Sequence, residues 1–139
     1  MKASVFYRTA SVLLLIFDLG HTYGFRQHDP KWGVETLLSM MQSIHFQAQG
    51  FSRSYWDVFV GAGFIVSVFL LFSAVLAWQL AGLAPDTLAR LRGTAWAFAL
   101  SFVAIAILSW KYFFTAPLVF SGLIALCLVG GAWRSGQAK

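Results

Sequence analysis

Charged residues are scarce in this sequence. Only 11% of its 139 residues are Asp, Glu, Lys or Arg, whereas 59% are hydrophobic, and the mean hydropathy is +0.72. Soluble domains average about 25% charged residues, and a small soluble domain cannot bury so large an apolar surface. The shortage of charge therefore excludes an ordinary soluble domain and predicts a protein whose solvent is the lipid bilayer.

Cysteine is almost absent, and complete motifs for catalysis are absent as well. The lone Cys127 lies in an apolar run and can form neither an intrachain disulfide nor a dithiol redox centre. The sequence has no Gly-rich phosphate loop, and its His and acidic residues lack a diagnostic metal-ligand spacing. We therefore predict no metal site and leave catalytic residues, enzyme class and cofactors unassigned.

The few charges mark the ends of four long apolar stretches. These stretches lie between residues 8 and 26, 57 and 86, 92 and 111, and 111 and 134. Since a helix crosses the hydrocarbon core in about 20 residues, we predict an all-α membrane protein: a bundle of four transmembrane helices. We expect one domain over residues 1–139, with spans at about 9–25, 58–83, 93–113 and 117–133.

The first stretch is the weakest of the four, because it contains Asp18 and His21. The alternative is three spans and a first helix that lies on the membrane surface. Residues 11–17 are apolar on all sides, which favours a span. The amino terminus also resembles a signal peptide, but no small-x-small cleavage site follows, so we predict a retained first helix.

The Lys and Arg residues predict the orientation. Six lie on the side of both termini and four on the other side, which favours cytoplasmic termini in a bacterial inner membrane. The first group is Lys2, Arg8, Arg90, Arg92, Arg134 and Lys139. The net charge of +5 comes from these flanking residues and not from a basic patch, so we expect no nucleic-acid partner. Aromatic residues near the span ends, such as Tyr7 and Trp78, are expected in interfacial belts.

The connection between the first two spans, residues 26–56, is too long for a simple turn. Asp29-Pro30 is typical of a helix start, Gly50 of a helix end, and the apolar residues between them have helical spacing. We predict a short amphipathic helix at about 30–48, either on the outer membrane surface or as a lid over a pocket. The alternative is a packing element that only covers the helix ends.

Asp18 and His21 are the most unusual residues, because an ionisable group at membrane depth costs about 2.5–3.5 kcal/mol. They lie one turn apart on the predicted first helix. We predict that they form the polar floor of a ligand pocket, with His45 and Asp57 at its rim, and that Arg53 binds a lipid phosphate. The alternative for Arg53 is a side chain that only extends to the headgroup level of the membrane. The alternatives are an interhelical polar clamp, with Ser67 among its partners, and metal or catalytic chemistry.

The chain resembles small bacterial four-helix inner-membrane proteins of the DoxX-like kind and their functionally unassigned relatives. The resemblance is carried by Asp18-Leu19-Gly20-His21-Thr22-Tyr23-Gly24 and by Gly50-Phe51-Ser52-Arg53-Ser54-Tyr55-Trp56-Asp57, which opens a Gly-containing span. It implies a four-helix architecture and no catalytic residue.

Three functions are compatible with this pattern. The first is a bundle that binds a small lipophilic ligand or lipid in an intramembrane polar pocket. The second is an accessory subunit of a larger membrane complex, or a homo-oligomer, that packs through Gly20-x-x-x-Gly24. The third is a metal- or proton-dependent enzyme that acts on a lipid or quinone.

Overall fold

Four long apolar helices dominate the structure, a computed structural model that describes residues 2–137. Each is long and apolar enough to cross a bilayer, which confirms the predicted all-α membrane fold. The chain is thus a multi-pass membrane protein. The four helices are α1 (Ala3–Gly24), α3 (Tyr55–Gly82), α5 (Arg92–Tyr112) and α6 (Thr115–Ser135).

Shorter elements lie in the connections. The first connection contains a 3₁₀ turn (Pro30–Trp32), helix α2 (Glu35–Ser43) and strands β1 (His45–Ala48) and β2 (Phe51–Ser54). The second contains helix α4 (Pro85–Arg90). Helix α1 begins at Ala3, ahead of the predicted span start at residue 9. A helix can continue past the hydrocarbon core, because charged residues are solvated at the membrane surface.

The amphipathic helix of the first connection is shorter than its predicted range of 30–48. Asp29 does accept a hydrogen bond from the Lys31 backbone N–H at 2.9 Å, but it caps only the 3₁₀ turn. Helix α2 ends at Ser43, and residues 45–54 form an antiparallel hairpin instead. Gln49 and Gly50 both have positive φ angles, which suits a tight two-residue hairpin turn. The prediction that Gly50 ends a helix was therefore wrong.

The chain divides into two compact units. The first unit comprises residues 2–18 and 70–137 of the described chain, and the second comprises residues 19–69. All four long helices contribute to the first unit, which contains the whole buried apolar core. Half of that core is alanine: Ala10, Ala74, Ala77, Ala81, Ala95, Ala99, Ala125 and Ala132. Small side chains let helices approach closely in lipid, where van der Waals contact replaces hydrophobic burial.

Glycines of α6 accommodate aromatic rings of α1. A Cβ atom built on Gly131 would lie 2.8 Å from Cζ of Tyr7, and one built on Gly130 would lie 2.7 Å from Cε1 of Phe6. Tyr7 is fully buried, and its hydroxyl lies 3.3 Å from Oγ of Ser135. Tyr7 is thus a packing residue between helices and not the exposed belt residue that the sequence predicted.

Large apolar side chains also cover the outside of the helices. Ile65, Val68 and Leu126 are each about 70% exposed, far more than a soluble protein would allow in the middle of long helices. Trp78, Trp110 and Trp133 are exposed near the helix ends, as expected for interfacial residues. Lys139, which the charge count includes, lies outside the described residues.

Replacing Gly131 with alanine should lower stability, because the new methyl group would collide with the buried Tyr7 ring. We expect a loss of about 1–3 kcal/mol. Gly122→Ala on the same helix is the matched control, since a Cβ there meets nothing within 4 Å. Thermal unfolding in detergent can be followed by dye labelling of Cys127, the single half-buried thiol. Equal melting temperatures for the two variants would contradict this packing.

Candidate functional site

His21 makes a direct contact with the backbone of α3. Its Nε2 atom lies 3.1 Å from the carbonyl oxygen of Gly63. Because a carbonyl oxygen only accepts, His21 donates this hydrogen bond from Nε2. The imidazole also stacks on Phe25, with ring centroids 5.2 Å apart and planes 19° from parallel. This contact is the kind expected of an interhelical clamp.

A second polar contact runs beside the first. The Thr22 hydroxyl donates to Oγ of Ser67 at 2.6 Å, and Ser67 donates to the Gly63 carbonyl at 3.4 Å. The Gly63 carbonyl thus accepts from both His21 and Ser67. The predicted clamp partner Ser67 is present in this seam between α1 and α3, but its partner on α1 is Thr22.

Gly63 also packs closely against an aromatic ring that follows the end of α1. A Cβ atom on Gly63 would collide with the Phe25 ring, lying 2.6 Å from Cδ2 and closer still to Cε2. The Arg26 guanidinium lies over the Phe25 and Phe64 rings, at 5.4 and 5.2 Å from their centroids. A Cβ on Gly61, by contrast, meets nothing within 4 Å.

Asp57 and Ser54 form a reciprocal cap at the start of α3. The Ser54 N–H donates to Oδ2 of Asp57 at 2.8 Å, and the Asp57 N–H donates to Oγ of Ser54 at 3.1 Å. Each side chain satisfies a backbone N–H that the helix itself leaves without a partner. Asp57 therefore has a structural role, although its carboxylate remains exposed and retains acceptor capacity.

An open cavity lies beside this cap. It has a volume of about 340 Å³ and is lined by Arg53, Trp56, Asp57, Val60 and Gly61. Asp57 and Arg53 bring opposite charges to it, Trp56 brings an aromatic ring, and the last two residues bring apolar surface one turn further along α3. We call these five residues the α3 mouth.

Arg53 retains binding capacity at the α3 mouth. Its Nη1 donates to the carbonyl oxygen of Ser52 at 2.7 Å, and its guanidinium lies 5.3 Å from the Phe51 ring centroid. A guanidinium has five N–H donors, and the hydrogen bond to Ser52 uses one of them. Phosphate and carboxylate groups are the anions that its planar fork matches best.

Two of the five predicted site residues thus come together in one cavity. Arg53 and Asp57 line the α3 mouth, whereas His21 bonds to α3 and is not among the lining residues. His45 lies on the exposed strand β1, with Nδ1 3.0 Å from the Ser43 carbonyl oxygen, and not on a helix as predicted. Asp18 is half-buried in the first unit and has an interaction partner.

The described residues offer no ready cluster of metal ligands. Within residues 2–137, no three His, Cys, Asp or Glu side chains gather as a potential metal site. Asp18, His21, His45 and Asp57, the residues for which metal chemistry was one alternative, therefore do not gather as a metal site.

Sequence reasoning missed Ser54 and the pairing of Phe25 with Gly63. The role of Ser54 could have been predicted, because Ser-x-x-Asp ahead of an apolar run is the pattern of a capping box. The packing of Phe25 on Gly63 could not, because nothing in the sequence indicates which ring contacts which glycine.

Comparisons with other proteins add no relationship. No family model matches the chain, and searches of curated proteins and of solved structures find no match either.

Replacing His21 with alanine should destabilise the protein, because the seam between α1 and α3 loses a hydrogen bond and a ring stack. The expected loss is about 0.6–2 kcal/mol, the usual range for such bonds in membranes. His28→Ala, at an exposed position in the first connection, is the control. A His21→Ala protein that melts at the temperature of the unaltered protein would argue against the clamp and for a ligand-binding role.

Proposed function

We propose that this membrane protein binds an amphipathic, lipid-like molecule whose polar head occupies the α3 mouth. The supporting observation is the order of the lining residues. Arg53, Trp56 and Asp57 surround the start of the helix, and Val60 and Gly61 follow in the apolar part of α3. A polar head at the first group and an apolar chain along the second would match this gradient.

The charges favour a zwitterionic head. Arg53 suits a phosphate, and the exposed carboxylate of Asp57 suits an ammonium group. Trp56 adds a ring face, and cations bind best over tryptophan. The Asp57 carboxylate would repel a purely anionic head, and the Arg53 guanidinium would repel a purely cationic head. A molecule with both charges avoids either repulsion.

The surroundings of the α3 mouth are those of a membrane interface. Phe51 and Tyr55 are exposed beside it, and the Phe46 and Tyr55 rings lie 5.2 Å apart. Amphipathic aromatic residues concentrate at headgroup depth. The mouth thus has the composition expected where a lipid head resides.

The ligand-binding roles predicted for Asp18 and for His21 each stay a proposal. The contact of His21 with Gly63 supports a clamp at least as well. The resemblance to DoxX-like proteins likewise stays a proposal at the level of architecture. So does the location in a bacterial inner membrane.

Binding can be tested with dioleoyl phosphatidylethanolamine, a zwitterionic lipid, by native mass spectrometry of the purified chain. Arg53→Gln and Asp57→Asn should each reduce the bound fraction about fivefold, as expected for the loss of one charged contact of about 1 kcal/mol. An asparagine side chain still has an amide oxygen that can accept from the Ser54 N–H, so Asp57→Asn removes the charge and keeps the reciprocal hydrogen bonds.

Lys31→Gln provides the control for this experiment, because it removes a charge from the exposed 3₁₀ turn away from the lining residues. Its lipid binding should match that of the unaltered protein. If all three variants retained the lipid equally, the α3 mouth would not be a headgroup site. A partner protein that co-purified in stoichiometric amount would favour the accessory-subunit hypothesis instead.

The proposed orientation places both termini in the cytoplasm. The excess of Lys and Arg on that side supports it, six against four. A fluorescent protein fused to the carboxyl terminus should fluoresce in a bacterial host, because it folds in the cytoplasm and not after export. The same reporter fused after residue 114, ahead of α6, should stay dark. If only the fusion after residue 114 fluoresced, the proposed orientation would be wrong and both termini would lie outside the cytoplasm.

A further inference from the structure

A second cavity, in the first unit, differs in chemistry from the α3 mouth. It has a volume of about 540 Å³ and lies where α1 begins, α3 leads into α4, and α6 ends. Its polar lining includes Lys2, Ser4, Arg134 and Gln137. We call it the basic cavity.

The charged side chains that line the basic cavity within residues 2–137 are both positive. They are Lys2 and Arg134, and no Asp or Glu of this described part of the chain joins them. Nη1 of Arg134 donates to Oε1 of Gln137 at 3.3 Å, and this amide is a neutral partner. Arg92 adds a third cation at the same end of α6, because a Cβ on Gly136 would lie 2.9 Å from its Nε.

The start of α1 adds to this preference for anions. Ala3 and Ser4 line the cavity and belong to the first turn of α1. The first backbone N–H groups of a helix lack acceptors within it and attract negative charge. The two side-chain cations and the helix start therefore favour the same kind of ligand.

Apolar side chains form the other part of the lining. Ala81, Leu83 and Leu88 all contribute, and Leu88 is only 5% exposed. A soluble phosphate ion would gain nothing from these residues. A molecule with a phosphate at one end and hydrocarbon at the other would contact both parts of the lining.

We propose that the basic cavity binds the phosphodiester of an anionic phospholipid, with Lys2 and Arg134 on the phosphate and the apolar lining against the adjoining chains. Basic pockets of this kind between membrane helices are general sites for anionic headgroups. The charge count predicts this side to be cytoplasmic, where anionic lipids concentrate in membranes that are asymmetric. The site is separate from the α3 mouth and does not depend on the function proposed for it.

The test uses the full chain in detergent, with dioleoyl phosphatidylglycerol and dioleoyl phosphatidylcholine as probes and native mass spectrometry as the readout. In an Arg53→Gln background, which weakens the zwitterionic site at the α3 mouth, the protein should retain the glycerol lipid in preference to the choline lipid. Arg134→Gln should reduce retention of the glycerol lipid about fivefold, and Arg134→Lys should restore most of it, because a lysine keeps the charge.

Arg90→Gln is the matched control, since it removes one exposed cation on the same predicted side without altering the cavity lining. It should change retention less than twofold. Equal losses in Arg134→Gln and Arg90→Gln would overturn the proposal, because general charge attraction would then explain binding. Equal retention of the two lipids by the Arg53→Gln protein, in which the α3 mouth is weakened, would overturn it as well.

Inorganic phosphate separates a lipid site from a site for a soluble anion. At millimolar concentration it should leave lipid retention unchanged if the apolar lining contributes to binding. Displacement of the lipid by phosphate alone would overturn the lipid assignment. Arg53→Gln should not affect the glycerol lipid, so failure at one cavity is distinguishable from failure at the other.

Discussion

Hydrogen bonding without water is the constraint on which the rest of this structure depends. In hydrocarbon, each backbone N–H and C=O must find a partner inside the protein, and helices provide it within one segment. Side-chain hydroxyls then donate a second hydrogen bond to carbonyl oxygens that already accept one from the helix backbone. The Ser11 hydroxyl donates to the Ala74 carbonyl at 2.8 Å, and that of Ser135 to the Gly131 carbonyl at 2.7 Å. Among the described residues, the buried hydroxyl of Ser73 is the exception that has no partner.

Small residues let helices pack closely once their backbone hydrogen bonds are complete. Alanine forms half of the core of the first unit, and Gly131 accommodates the Tyr7 ring. In the second unit, Gly63 accommodates the Phe25 ring and its carbonyl accepts from His21. The same glycine therefore permits close approach and provides an acceptor. The His21 imidazole can therefore lie within a membrane-spanning helix, because its Nε2 hydrogen has an acceptor there.

Polar chemistry is concentrated where the helices end. The α3 mouth combines Arg53 and Asp57, whereas the basic cavity has Lys2 and Arg134 and no lining carboxylate among residues 2–137. Helix ends are where water and headgroups can solvate charge, so charged side chains there cost little. The α3 mouth has charges of both signs and the basic cavity has described cations only, which is the basis for assigning them different headgroups.

The sequence by itself determined the solvent, the four spanning helices and the concentration of charge at their ends, because apolar length and charge spacing are local properties. It misplaced the end of α2, since hairpin pairing at residues 45–54 competes with helix formation. Only the tertiary structure decided that Tyr7 is buried, that His21 bonds to Gly63, and that Arg53 shares a cavity with Asp57 but not with His45. These outcomes depend on which helix faces meet, and contacts between residues far apart in the chain leave no periodic signal in it.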